Sequence, residues 1–174
     1  MGRDRRIWML VIAAIVITLD RVSKRWINAH LALGHVIAVI PRSASAADTA
    51  KMLITFRITH VLNTGAAFSM FENMNEHTVR NLLVSFSIIA VIVVLTMLWK
   101  VGKTFTMTSV ALALILGGAL GNLYDRVVYS HVVDFLEFHI AHYHFPDFNV
   151  ADSCIVIGAC LLLLEMLLPQ KHVD

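Results

Sequence analysis

The feature that most constrains this chain is the length of its uncharged apolar runs. Residues 82–99 are almost unbroken, 105–124 are interrupted only by glycines and small polar residues, and 150–168 end at Pro169. About 20 residues rising roughly 1.5 Å each cover the hydrocarbon core of a bilayer. A fourth run, about 7–27, follows Arg3, Asp4, Arg5 and Arg6. It could be read as a signal peptide, with the small residues 44–47 imitating a cleavage site. They lie about two dozen residues beyond the run, with charges between, which is too far. The run is therefore taken as an uncleaved first span. Of 174 residues, 58% are hydrophobic and 15% charged. One soluble domain could not hide that much apolar surface. The net charge of +2 is scattered, so nucleic acid is not an expected partner.

The expected fold is a mainly α membrane protein of one domain, with four transmembrane helices at about 7–27, 82–99, 105–124 and 150–168. Both termini are then cytoplasmic, on the same side as Lys100, Lys103 and Lys171. Trp8 and Trp99 mark the inner interface, Trp26 and Tyr124 the outer one. Lys24, Arg25, Arg42, Lys51, Arg57 and Arg80 fall outside, several of them in a long loop where the positive-inside bias weakens.

Two external loops follow, about 28–76 and 127–149. The first is too long for a bare connector. Apolar Ile54, Phe56, Ile58 and Leu62 interleave with polar Thr55, Arg57 and Thr59, a period of two that signals a half-buried strand. Residues 35–40 are a weaker strand, and 41–50 read as a turn or insertion. Together they predict a small antiparallel sheet on the outer membrane surface. The second loop carries Phe135, Phe138, Ile140, Phe145 and Phe148 and is expected to form a short interfacial helix. Cys154 and Cys160 lie six residues apart on one helix, roughly 9 Å between Cα atoms, too far for a disulfide.

Ionisable groups at membrane depth are costly and are functional candidates by default. Asp20 and Lys24 share a helix face and can pair, ordering the end of the first span. Asn122 and Asp125 share a face of the third, and neighbouring Arg126 would keep Asp125 ionised in a supporting role. Gly117 and Gly121 admit either close helix packing or a functional role. Asp134, within Val132-Val133-Asp134-Phe135-Leu136, has no cation near it in sequence, which favours a raised pKa. Asp152 sits in the first turn of the fourth span, where capping and catalysis are both open. Brought together, one carboxyl could activate a water while the other protonates a carbonyl. His139, His142 and His144 match no strong zinc spacing and are read as surface histidines. Glu165 is expected to reach the cytoplasmic interface, and Asp147 to be solvated.

Five motifs then occur in order: Asp20-x-x-x-Lys24, Asn63-x-Gly65-Ala66-Ala67-Phe68, Gly117-Gly118-x-x-Gly121-Asn122-x-x-Asp125-Arg126, Val133-Asp134-Phe135 and Phe148-Asn149-x-Ala151-Asp152. With them the chain closely resembles bacterial lipoprotein signal peptidase (signal peptidase II), an intramembrane aspartic protease family, over nearly its whole length. The resemblance implies removal of signal peptides from diacylglyceryl-modified prolipoproteins, cut just before the lipidated cysteine. It implies catalysis by Asp134 and Asp152 without metal or cofactor. Asn63, Gly65, Asn122, Arg126 and Asn149 match positions that line or support the site, and Asp20, Lys24 and Asp125 match motif positions. It also implies an external cradle of strands, inhibition by globomycin, contact with membrane lipids, and an inner-membrane location with the active site near the outer face. The stretch 41–51 is longer than usual for the family. Competing readings are a proton-coupled transporter using Asp20, Asp125 and Asp134, a metallohydrolase using the three histidines, and a non-enzymatic assembly factor.

Overall fold

The apolar runs form helices, and polar residues fix where those helices begin. The computed structural model describes residues 4–40, 54–65, 75–140 and 143–168. Helix α1 spans Arg6–His30, α2 Glu76–Val101, α3 Met107–Val128 and α4 Val150–Leu167. Asn75 caps α2, its side-chain oxygen accepting the His77 N–H at 3.0 Å. Thr106 and Ser109 cap α3 reciprocally. The Ser109 N–H donates to Thr106 Oγ1 at 3.1 Å, and the Thr106 N–H donates to Ser109 Oγ at 2.9 Å.

Among the described residues, α2, α3 and α4 are long and apolar enough to cross a membrane. Only 6% of the most apolar window of α2 and 11% of that of α4 are buried within the protein, against 50% for α3. Helices this apolar and this exposed need lipid as their solvent. The chain is thus a multi-pass membrane protein. Helix α1 has the length to span, but Asp20, Arg21, Lys24 and Arg25 crowd its second half.

The chain divides into two units. The first contains α1 as far as Asp20, residues 84–124 and the chain from Val150; the second contains residues 21–83 and 125–149. In the first, Met9, Ala13, Leu98, Leu112, Ala113 and Leu116 form a buried cluster drawn from α1, α2 and α3. A side chain at Gly117 would strike Val16, and one at Gly121 would strike Asp20, so these two glycines set how closely α3 and α1 approach. Glu165 accepts a hydrogen bond from Thr108. Cys154 and Cys160 are free thiols.

The second unit holds a four-stranded antiparallel sheet in the order β1 (Val36–Ile40), β2 (Ile54–Asn63), β3 (Val132–Ile140) and β4 (Tyr143–His144). The first two strands fall where the period of two places them. The expected short interfacial helix in 127–149 is not formed among the described residues there. Val132–Ile140 is a strand instead, paired along β2 from Ile54↔Ile140 to Asn63↔Val132. The aromatic spacing misleads because Phe135 and Phe138, a helical i, i+3 pair, lie on opposite faces of a strand. Phe138 stacks on Phe56 with ring centroids 4.5 Å apart, while Phe135 is buried. Residues 41–51, Ala66, Ala67, Phe68, His142, Pro169 and Lys171 lie outside the described residues.

Candidate active site

In the second unit a bulge in β2 decides what faces Asp134. Ile58 pairs with Leu136, but the next register partner, Val61, pairs with Asp134. Three steps along β2 therefore match two along β3, leaving one extra residue on β2. Leu136 and Asp134 share one face of β3. Without the bulge His60 would oppose Asp134; with it, Val61 and Asn63 occupy that face.

The consequence is a held carboxylate. Asn63 Nδ2 donates to Asp134 Oδ2 at 2.9 Å, and Asn149 Nδ2 donates to Oδ1 at 2.7 Å. Each oxygen thus receives one amide donor. Asp134 is 2% exposed and Asn149 fully buried. The Asn63 amide is oriented by its own loop, since the Gly65 N–H donates to Asn63 Oδ1 at 2.8 Å and leaves the NH2 for Asp134. Gly65 has φ 94°, and a side chain there would overlap Leu83. Only glycine meets both demands.

A cavity of about 490 Å³ opens at Asp134, lined also by Val61, Asn63, Thr64, His144, Pro146 and Asp147. Asp147 is half-buried rather than solvated, and its Oδ1 is buried without a hydrogen-bond partner among the described residues. Burial, and then the charge of Glu137, push its carboxyl above the usual range, against the pull of His144, Arg57 and His139. For Glu137, burial pushes upward. Hydrogen bonds from His139 and Arg57, with their charges, outweigh that and leave the carboxyl below its ordinary value.

The first unit carries Asp152 in the opening turn of α4. Asn122 Nδ2 donates to Asp152 Oδ1 at 2.7 Å. Asp20, fully buried, accepts the Ala151 N–H at 3.1 Å. It thereby satisfies one of the orphan donors at the start of α4, next to Asp152. The close approach at Gly121, 2.8 Å from Asp20 Oδ2 to an added Cβ, is what lets that carboxyl reach.

Lys24 and Asp125, both 1% exposed, form an ion pair at 2.7 Å in the second unit. Arg21 also donates to Asp125. Beyond the neighbours named from the sequence, the structure supplies Arg21 and Lys24 as partners of Asp125. Arg126, expected to support the site, is partly buried at the end of α3.

Comparison with known proteins identifies the architecture. A family model described as Signal peptidase (SPase) II matches residues 12–168. The chain belongs to the signal peptidase (SPase) II family. Lipoprotein signal peptidases of similar sequence include one from Alteromonas mediterranea (38% identity, covering 94% of this chain and 82% of the relative). Another is from Pseudomonas putida (38%, covering 99% and 94%). A third is from Coxiella burnetii (37%, covering 95% and 94%). Among solved structures, a bacterial membrane enzyme determined by the in meso method matches with a TM-score of 0.79 at 30% identity, over 98% of this chain and 99% of the other.

For a signal peptidase II, two features of this arrangement are not apparent in the sequence. Arg21 was not singled out, although its i, i+3 spacing to Lys24 puts both cations on one helical stripe. Asp147 was read as solvated because nothing in the sequence reports the cavity that it lines.

Proposed function

We propose that this chain is a lipoprotein signal peptidase that removes the signal peptide of diacylglyceryl-modified bacterial prolipoproteins, cutting just before the lipidated cysteine. Asp134 and Asp152 act as the catalytic pair. The observation that carries the reading is the amide clamp on Asp134, from Asn63 and Asn149, matched by the Asn122 amide on Asp152. The amide donors hold each carboxyl in a fixed orientation, which suits a pair that shares and passes one proton. Connectivity supports the pairing: Asn149, which holds Asp134, precedes Asp152 by three residues. Two carboxyls sharing one proton divide the work. The ionised one takes a proton from water as it attacks the scissile carbonyl, and the protonated one donates to the carbonyl oxygen.

Helix α1 also crosses the membrane, making four spans, with its charged end near the outer interface, so both termini are cytoplasmic and the sheet forms an external cradle. The two units work as one peptidase domain in the inner membrane, with the active site near the outer face. Membrane lipids are its surroundings, and globomycin blocks it. Arg21, Lys24 and Asp125 brace the site, Gly65 and Asp20 position it, and Arg126 supports it; no metal or cofactor takes part.

The test is cleavage of a diacylated prolipoprotein by the purified protein in detergent, with mass spectrometry of the products. The expected product begins at the lipidated cysteine, and globomycin prevents its formation. Equal cleavage of the unmodified precursor, or a cut elsewhere, sinks the proposal.

A further inference from the structure

Strand geometry gathers a second set of side chains on the face of β3 opposite to Asp134. Glu137 and His139 are two residues apart on β3, and His144 of β4 is the direct cross-strand partner of His139. The two imidazoles stack with centroids 4.2 Å apart. Glu137 Oε1 lies 2.8 Å from His139 Nε2 and 3.0 Å from His144 Nε2. Ligand atoms from all three residues fall within 4.8 Å of one another.

The hydrogen bonding of this cluster is unbalanced. His139 Nε2 lies 2.8 Å from the carboxylate, which needs an N–H there, and 2.7 Å from Arg57 Nη2, which needs a lone pair. A single nitrogen supplies one or the other. Arg57 Nη2 is also 2.6 Å from Glu137 Oε1. That oxygen therefore faces Arg57, His139 and His144, while Oε2 of the same carboxylate is buried with no partner among the described residues, as is Arg57 Nε. Glu137 is 5% exposed, so the omission is costly.

We propose that Glu137, His139 and His144 form a site for a divalent transition-metal ion of the zinc class, with ligands other than the two catalytic carboxyls although His144 also lines the cavity at Asp134. A cation between the three groups uses both imidazole lone pairs and Oε1 together. Ligand atoms on a tetrahedral zinc lie roughly 3.3 Å apart, so the two Oε1–Nε2 distances open by about half an ångström or less and the two imidazole nitrogens close by at most about 1.5 Å. Arg57 turns its fork onto Oε2, which satisfies both orphaned atoms. The exposed side of His144, 55% accessible, leaves the fourth position to water. Oxygen and nitrogen donors with imidazole in the majority suit zinc or copper better than magnesium or calcium. The inference goes beyond the peptidase reading and does not rest on it.

The test is calorimetric titration of Zn2+ into the full chain in detergent, freed of any affinity tag, with Co2+ as a visible-absorbing probe of the same site. One equivalent is expected to bind. His139→Ala, His144→Ala and Glu137→Gln should each weaken binding at least tenfold, and His77→Ala, on the exposed start of α2, should not. Unfolding midpoints in chelator report whether each variant is folded. The wild-type Co2+ spectrum should saturate at one equivalent and be bleached by Zn2+, a result independent of any variant. Failure of the wild type to give that saturating spectrum overturns the proposal, as does unchanged zinc affinity in the folded histidine variants.

Discussion

At the scale of single residues, orientation is set by side-chain amides and by one glycine. Gly65 holds a left-handed φ of 94° and donates to Asn63, which donates to Asp134. Gly65→Ala imposes about 1–2 kcal/mol of backbone strain and pushes on Leu83. The expected result is a loss of turnover of about a hundredfold with the fold intact, because a small misplacement near the reacting groups is enough. Steady-state kinetics beside a thermal melt check it; wild-type turnover would show that the Asn63 amide needs no such guide. Asp147 provides the pH test. Its carboxyl is raised in the folded state by burial, so ionising it costs stability. That cost is absent below the ordinary carboxylate pKa near 4 and appears as pH rises through the raised value. Asp147→Asn should therefore be more stable than wild type at pH 7 and lose that advantage under acid. Thermal melts at the two pH values measure it, and a wild type that is more stable at pH 7 contradicts it. The carboxylates and asparagines stand out in the sequence, but their partners do not. Which residue meets Asp134 depends on one extra residue in β2, and alternation along the strand cannot reveal a bulge that shifts it.

At the scale of elements, helices α1 and α3 are tied by charge within the second unit. Lys24 and Asp125 are both nearly inaccessible and 2.7 Å apart, with Arg21 as a further donor. Removing one member of a buried pair leaves a charge without its compensation. Asp125→Asn should cost about 3 kcal/mol, seen as a lowered unfolding midpoint. A variant as stable as the parent would mean that the pair is solvated. In the first unit, the start of α4 depends on Asp20 reaching Ala151 past Gly121. The helices were legible because long apolar runs admit little else in lipid. Strand β3 was not, because its alternation is broken: Val132, Val133, Asp134 and Phe135 are all buried in succession. A strand buried on both faces has no period to read.

At the scale of the whole molecule, the account needs four crossings, and α1 is the span that composition alone leaves open. Among the described residues three helices qualify by length and apolarity, while α1 carries four charges in its second half. Single cysteines introduced at Asp4 and at His35, which flank α1, should be labelled from opposite sides of the membrane by an impermeant thiol reagent, after Cys154 and Cys160 are replaced by Ala. Labelling of both from one side would remove the four-span topology. The central claim is that Asp134 and Asp152 perform the chemistry together. The direct measurement is cleavage of a diacylated prolipoprotein by Asp134→Asn and Asp152→Asn, each shown to be folded by its melt. The account predicts at least a hundredfold loss of turnover in both; near-normal turnover in either one contradicts it.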